Sequence, residues 1–139
     1  MNIFLDIDGV ILANDKEKAH FADEFLEYII NNHTVYWLTT HCHGDAQYTV
    51  ILIRRFFQPQ TMKLLEKIIP TDWEVNKTEA IDFSKHFLWI EDDLLDEEKE
   101  ELQKRNVFSS WIEVNLGRDP DQLQKIVEGM KNGVFKISP

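Results

Sequence analysis

Short, wholly apolar runs alternate along the chain with longer stretches in which apolar residues recur at helical spacing. Residues 3–7 (Ile-Phe-Leu-Asp-Ile) are apolar in both phases of a two-residue repeat apart from one aspartate, the pattern of a strand buried on both faces. Asn14 and Glu17 stand at capping-box spacing, which predicts a helix from there to about Asn32, with Phe21, Phe25, Tyr28 and Ile29 as its apolar stripe. Residues 35–38 read as a second buried strand and 87–90 as a strong one. The segment 45–57 is ambiguous, because Thr49-Val50-Ile51-Leu52-Ile53 has strand composition. Its apolar run continues past Arg54 and Arg55 to Phe56 and Phe57, longer than most strands, so a helix closed by Pro59 is expected. A short helix over 60–67, a weak strand over 67–69 stopped by Pro70, and a helix capped by Asn76 and running through Ile81 come after it. A charged helix over 95–105 and a last strand over 107–114 are next. Asp119-Pro120 opens the final helix, since proline at the first helical position gives up no needed hydrogen bond, and that helix ends near Gly129 to Gly133.

Strands alternating with helices imply parallel βαβ units, hence an α/β three-layer sandwich on a mainly parallel, Rossmann-like sheet. With 139 residues, 43% of them hydrophobic, the sequence fits one domain spanning 1–139. The net charge of -10 argues against a broad nucleic-acid footprint, because polynucleotides are repelled at long range, although a local basic pocket stays open. The longest uninterrupted aliphatic run, 50–53, is far short of a membrane span. The opening Met-Asn-Ile-Phe-Leu-Asp has no basic region and no cleavage pattern, so no secretory leader is expected. The single cysteine, Cys42, excludes an internal disulfide framework and suits the reducing cytoplasm.

In an open parallel sheet, ligands bind beyond the carboxyl ends of the strands, so each strand end can be asked what it delivers. The first delivers Asp6 and Asp8, the second Thr39 and Thr40, and the strand over 87–90 delivers Glu91, Asp92 and Asp93, with Lys77 on the intervening helix. An Asx turn ahead of Gly9 accounts for either aspartate singly, and an exposed helix position accounts for Lys77. A carboxylate pair closing an apolar strand is harder to dismiss. At about 4 Å and an effective dielectric of about 20, each like-charge contact costs roughly 4 kcal/mol, a cost normally met by a metal or a proton. A divalent cation together with Lys77 would let a phosphate dianion approach, and an all-oxygen ligand set favours Mg²⁺.

The order Asp6-Ile7-Asp8-Gly9-Val10, Trp37-Leu38-Thr39, Lys77 and Trp89-Ile90-Glu91-Asp92-Asp93 resembles the four motifs of the haloacid dehalogenase (HAD) superfamily, over residues 3–96. That resemblance implies a HAD-type phosphatase: a Mg²⁺-dependent phosphomonoester hydrolase working through an aspartyl-phosphate. Asp6 would be the nucleophile, and Asp8 would protonate the leaving oxygen and then activate water. Thr39 would bind a phosphoryl oxygen, and Lys77 would offset charge on Asp6 and the phosphate. Asp92 would help hold Mg²⁺ beside the Asp6 carboxylate and the Asp8 backbone carbonyl, with Glu91 second. The fourth motif departs from the usual spelling: Glu91-Asp92 imitates a paired-acid form, Asp92 and Asp96 a spaced one. The segments 9–14 and 41–76 leave no room for a cap domain beyond what the scaffold needs. An open site implies a macromolecular phosphoester, or a small phosphorylated substrate covered by a second subunit of a homo-oligomer.

His41, Cys42 and His43 invite a zinc reading, but no second cluster completes four ligands at a recognised spacing. Substrate contact by Thr40, His41 or His43, just beyond Thr39, fits better, and Arg118 ahead of the last helix is a further candidate contact. Trp37 and Trp89 read as core aromatics, and 92–101 as an acidic helix start followed by a solvated face. A different class of function stays in play: a non-enzymatic phosphoacceptor, or an interaction module on the same fold. Receiver-like modules also combine acids, a threonine and a lysine, but there the phosphorylated aspartate ends a middle strand, where this chain has threonine.

Overall fold

A computed structural model describes residues 1–135. Four strands, β1 (Asn2–Leu5), β2 (Thr34–Trp37), β3 (Phe87–Glu91) and β4 (Trp111–Glu113), form one sheet in the order β2-β1-β3-β4. Every pairing in it is parallel. Five helices connect and cover the strands: α1 (Ala22–Asn32), α2 (Gln47–Ile53), α3 (Pro59–Leu65), α4 (Asp96–Lys104) and α5 (Gln122–Lys131). Three single 3-10 turns, Arg54–Phe56, Lys77–Ala80 and Phe108–Ser110, complete the described elements.

The alternation of side chains along each strand sorts the apolar residues into two cores. Ile3, Leu5, Val35, Trp37, Leu88, Ile90 and Ile112 face one layer, filled from α1, α5, Ile53 of α2 and Leu65 of α3. Phe4, Leu38, Phe87 and Trp89 face the other, where Leu94, Ile81 and Leu102 of α4 cover them. The chain is therefore α/β, with a parallel sheet sandwiched between helical layers, compatible with a Rossmann-like arrangement. Burial of Phe25, Leu26 and Ile29 on α1 supplies about 1.5–3 kcal/mol per side chain, which sets that helix on the sheet.

Several elements depart from the sequence expectation. The helix predicted from Asn14 starts at Ala22. Asn14 does bind Glu17, but within a loop in which Leu12 bridges Lys18 antiparallel and the Ala19 N–H donates to the Ile11 carbonyl. Residues 13–17 are all exposed, so a helix there would have no face to bury. The strand over 67–69 shrinks to one bridge, Tyr36 with Ile69, and the strand over 107–114 to β4, its first part taken by a 3-10 turn. The helix after Asn76 is a 3-10 turn, at whose start the Glu79 carboxylate accepts the Asn76 N–H at 2.8 Å. The ambiguous 45–57 segment is helical, as expected, in α2 and the 3-10 turn directly after it. Segment 41–76 contributes Ile53, Phe57, Leu65 and Ile68 to the same core as β1.

Candidate active site

The chain leaves β1 toward β2 on one side and returns past β1 to β3 on the other, so the direction of winding reverses between β1 and β3. Crevices form beyond the carboxyl ends of strands at such a switch point. The register there is tight: Leu5 pairs with Ile90, and the Asp6 N–H donates to the Ile90 carbonyl at 3.2 Å. Asp6 and Glu91 thus come level, each one residue beyond that pairing. Asp6 is 7% and Glu91 3% exposed.

Asp6, Glu91 and Asp92 offer carboxylate oxygens all within 4.8 Å of one another, the one such group of metal-ligating side chains among the described residues. Lys77 reaches in from its 3-10 turn, its Nζ donating to Glu91 Oε2 at 2.7 Å and lying 3.6 Å from Asp6 Oδ2. Burial, followed by the neighbouring Asp6 carboxylate, pushes the Glu91 carboxyl far above the usual carboxylate range, with Lys77 pulling the other way. For Lys77, burial favours the neutral amine, but the charges of Asp6 and Glu91 outweigh it and hold the ammonium in place. Three carboxylates facing one ammonium would carry a net charge of -2 if all ionised. Protonation of Glu91 lowers that repulsion, and a divalent cation would do the same.

Asp92 is exposed and, among the described residues, makes no side-chain hydrogen bond or ion pair, so its oxygens are free to bind. Gly9 sits against it with φ at 76°, and a Cβ there would lie 2.6 Å from Asp92 Oδ2. The two acidic loops touch because this residue has no side chain and tolerates a left-handed backbone. Beside them a hollow is lined by Gly9, Ala13, Asp92, Val114, Asn115 and Gly117. A second depression, at the amino end of β3, is lined by Ser84, Lys85, His86 and Ser110 and contains none of these carboxylates.

The other sequence candidates divide. The Asp8 carboxylate lies outside the three-acid group and meets His41 instead, Nε2 to Oδ2 at 2.6 Å. Thr39 is fully buried at the end of β2, its Oγ1 accepting the His41 N–H at 3.3 Å. Thr40 is exposed on the next turn. Arg118 is exposed, its backbone N–H bonded to Asn115, and among the described residues it makes no ion pair with the acids. Asp96, at the start of α4, is outside the three-acid group, which favours the Glu91-Asp92 spelling. His43 pairs with Asp72 at 3.6 Å, and Cys42 is buried against the Thr71 and Asp45 carbonyls, so the three do not converge as a zinc site.

One residue of the site looks in the sequence like a plain solvated acid. Glu98 is buried, and its two oxygens accept the Lys77 N–H at 2.7 Å and the Leu95 N–H at 2.9 Å. It ties the start of α4 to the turn that presents Lys77. The signal is in the chain, as a glutamate three residues after the point where the helix begins.

A scan against models of known protein families, a search of curated proteins and a search of solved structures each returned no match. Among the described residues, no helix is long and apolar enough to cross a membrane.

Proposed function

We propose that this chain is a Mg²⁺-dependent phosphomonoester hydrolase of the HAD type, without a cap domain, acting through an aspartyl-phosphate on Asp6. One observation carries the reading. Asp6, Lys77 and the Glu91-Asp92 pair, from segments far apart in the sequence, converge at the switch point of a parallel sheet. The donor set is all oxygen and suits Mg²⁺, which Asp6 and Asp92 would hold, with Glu91 occupied by Lys77 and acting behind them. When bound, the cation supplies charge neutralisation for the phosphoryl group.

The chain's own groups do the rest. An Asp6 oxygen attacks phosphorus, the ester P–O bond breaks, and Asp8 gives its proton to the leaving oxygen. Asp8, now a carboxylate, takes a proton from water whose oxygen attacks phosphorus. The bond from phosphorus to Asp6 breaks and inorganic phosphate leaves. Thr39 and Lys77 orient the phosphoryl oxygens and oppose their charge, so positioning and electrostatics supply most of the rate.

Purified protein is expected to release phosphate from an aryl phosphate with Mg²⁺, and to lose that activity when EDTA is added or in Asp6→Asn. Turnover unchanged in Asp6→Asn would remove the assigned nucleophile. A stable beryllofluoride adduct without any turnover would favour a phosphoacceptor module.

A further inference from the structure

The loop after β2 holds a histidine that the steps above leave unused. His41 Nε2 lies 2.6 Å from Asp8 Oδ2, the one side-chain contact of that carboxylate among the described residues. Both backbone groups of His41 are anchored in turn. Its N–H donates to Thr39 Oγ1 at 3.3 Å, and the Thr49 hydroxyl donates to its carbonyl at 2.8 Å. Thr39 and Thr49 are fully buried. The imidazole is 28% exposed while the Asp8 side chain is 68% exposed, so the better-held partner is the histidine.

We propose that His41 is a positioning residue for Asp8: it engages Oδ2 and leaves Oδ1 to carry the proton to and from the reacting oxygens. This rests on the phosphatase reading and reassigns His41 from substrate contact to the acid–base group. A carboxylate this exposed otherwise turns freely among its rotamers, and a displacement of about 1 Å in a reacting group costs about 10²-fold in rate. The same threonine expected to meet the phosphoryl group also fixes the loop that aims the acid. In the cycle, the leaving oxygen takes its proton from Asp8 Oδ1 as the ester bond breaks. Water returns a proton to Asp8 as the bond to Asp6 breaks, and the imidazole ends with the protons it began with.

The test uses the leaving group. The ratio kcat/KM reports steps up to departure of that group; an alkoxide leaves only with a proton, whereas nitrophenolate leaves readily without one. Wild type, His41→Ala and His41→Gln are compared on p-nitrophenyl phosphate and glycerol phosphate at saturating Mg²⁺. His41→Ala is expected to lower kcat/KM for glycerol phosphate about 10²-fold while changing that for the aryl ester less than about threefold. Where hydrolysis of the aspartyl-phosphate limits turnover, kcat and KM for the aryl ester should fall together, because Asp8 also activates that water. His41→Gln, whose amide can still donate to Asp8, should recover much of the alkyl activity. Equal losses on the two esters, or a rise in KM alone, would overturn the positioning role, as would a wild type that turns over only the aryl ester. A wild type inactive on both overturns the phosphatase reading and this assignment with it, whereas an active wild type with unchanged selectivity in His41→Ala overturns this assignment alone.

Discussion

Gly9 is where backbone conformation and acidic chemistry meet. An alanine there would have to adopt φ near 76° and place its methyl 2.6 Å from Asp92 Oδ2. Gly9→Ala is expected to cost about 1–3 kcal/mol in stability and to blunt any stabilisation by Mg²⁺, because Asp92 must move. Gly44 is the natural control: its φ is 78°, but the nearest atom to an added Cβ is 3.8 Å away. Gly44→Ala should lose stability and keep the full Mg²⁺ response in thermal melts. Lys77 and Glu91 invite a double-mutant cycle, since each is buried largely against the other. Lys77→Met strands two carboxylates, while adding Glu91→Gln removes one of them. A coupling energy of about 1–3 kcal/mol from urea unfolding is expected, and additivity within about 0.5 kcal/mol would show that the pair is not coupled. At this scale Asp6 and Asp92 are legible in the sequence, because a polar residue at the end of an apolar strand has one place to go, whereas Lys77 comes from the 3-10 turn Lys77–Ala80, which no strand end announces. The partner of Asp8 is not, since it depends on the path of a loop that no periodicity describes, whereas Glu98 is announced only by its capping spacing at the start of α4.

Among the elements, the strands and α1 are legible from hydrophobic period, whereas the misplaced boundaries lie where a local polar signal competed with burial. Asn14-x-x-Glu17 and Asn76-x-x-Glu79 have the same spacing, yet only the second caps a turn of helix. The difference lies in the neighbouring residues: Thr78 and Ile81 are buried beside the second pair, whereas a bridged loop surrounds the first. The docking of α1 on α3 depends on Asp23 of α1, whose carboxylate accepts from Thr61 Oγ1 at 2.6 Å and from the Gln58 N–H at 3.4 Å and pairs with Lys18. Burial alone would raise the Asp23 carboxyl, but the Lys18 and Thr61 bonds and the Gln58 N–H bring it below its ordinary 3.8. A carboxyl depressed in the folded state contributes stability that is complete above the unfolded value and is lost as pH falls through the folded one. Asp23→Asn keeps an acceptor for Thr61 but loses the partly screened charge opposite Lys18, so it should be less stable than wild type by about 0.5–1 kcal/mol near neutrality. The gap should narrow below pH 3.8, as urea unfolding across pH would record. A gap independent of pH would mean that the carboxylate charge contributes nothing to the joint.

For the whole molecule, the acidic surplus and the acidic site make separable demands on a divalent cation. A net charge of -10 means that any salt relieves self-repulsion, so a rise in Tm with Mg²⁺ is not by itself a sign of a site. Site binding obeys mass action and contributes about 2.7 kcal/mol at a hundredfold excess over Kd, whereas screening tracks ionic strength alone. Melts in MgCl₂ and in NaCl at matched ionic strength divide the two contributions. Wild type is expected to gain several degrees more in MgCl₂. Asp92→Asn should lose that excess, and Glu27→Gln, on the exposed face of α1, should keep it. Both variants remove one negative charge, so general electrostatics predicts that they behave alike. Only a cation held where the β1 and β3 loops meet predicts that they differ, and equal responses would mean that the clustered carboxylates are not a metal centre.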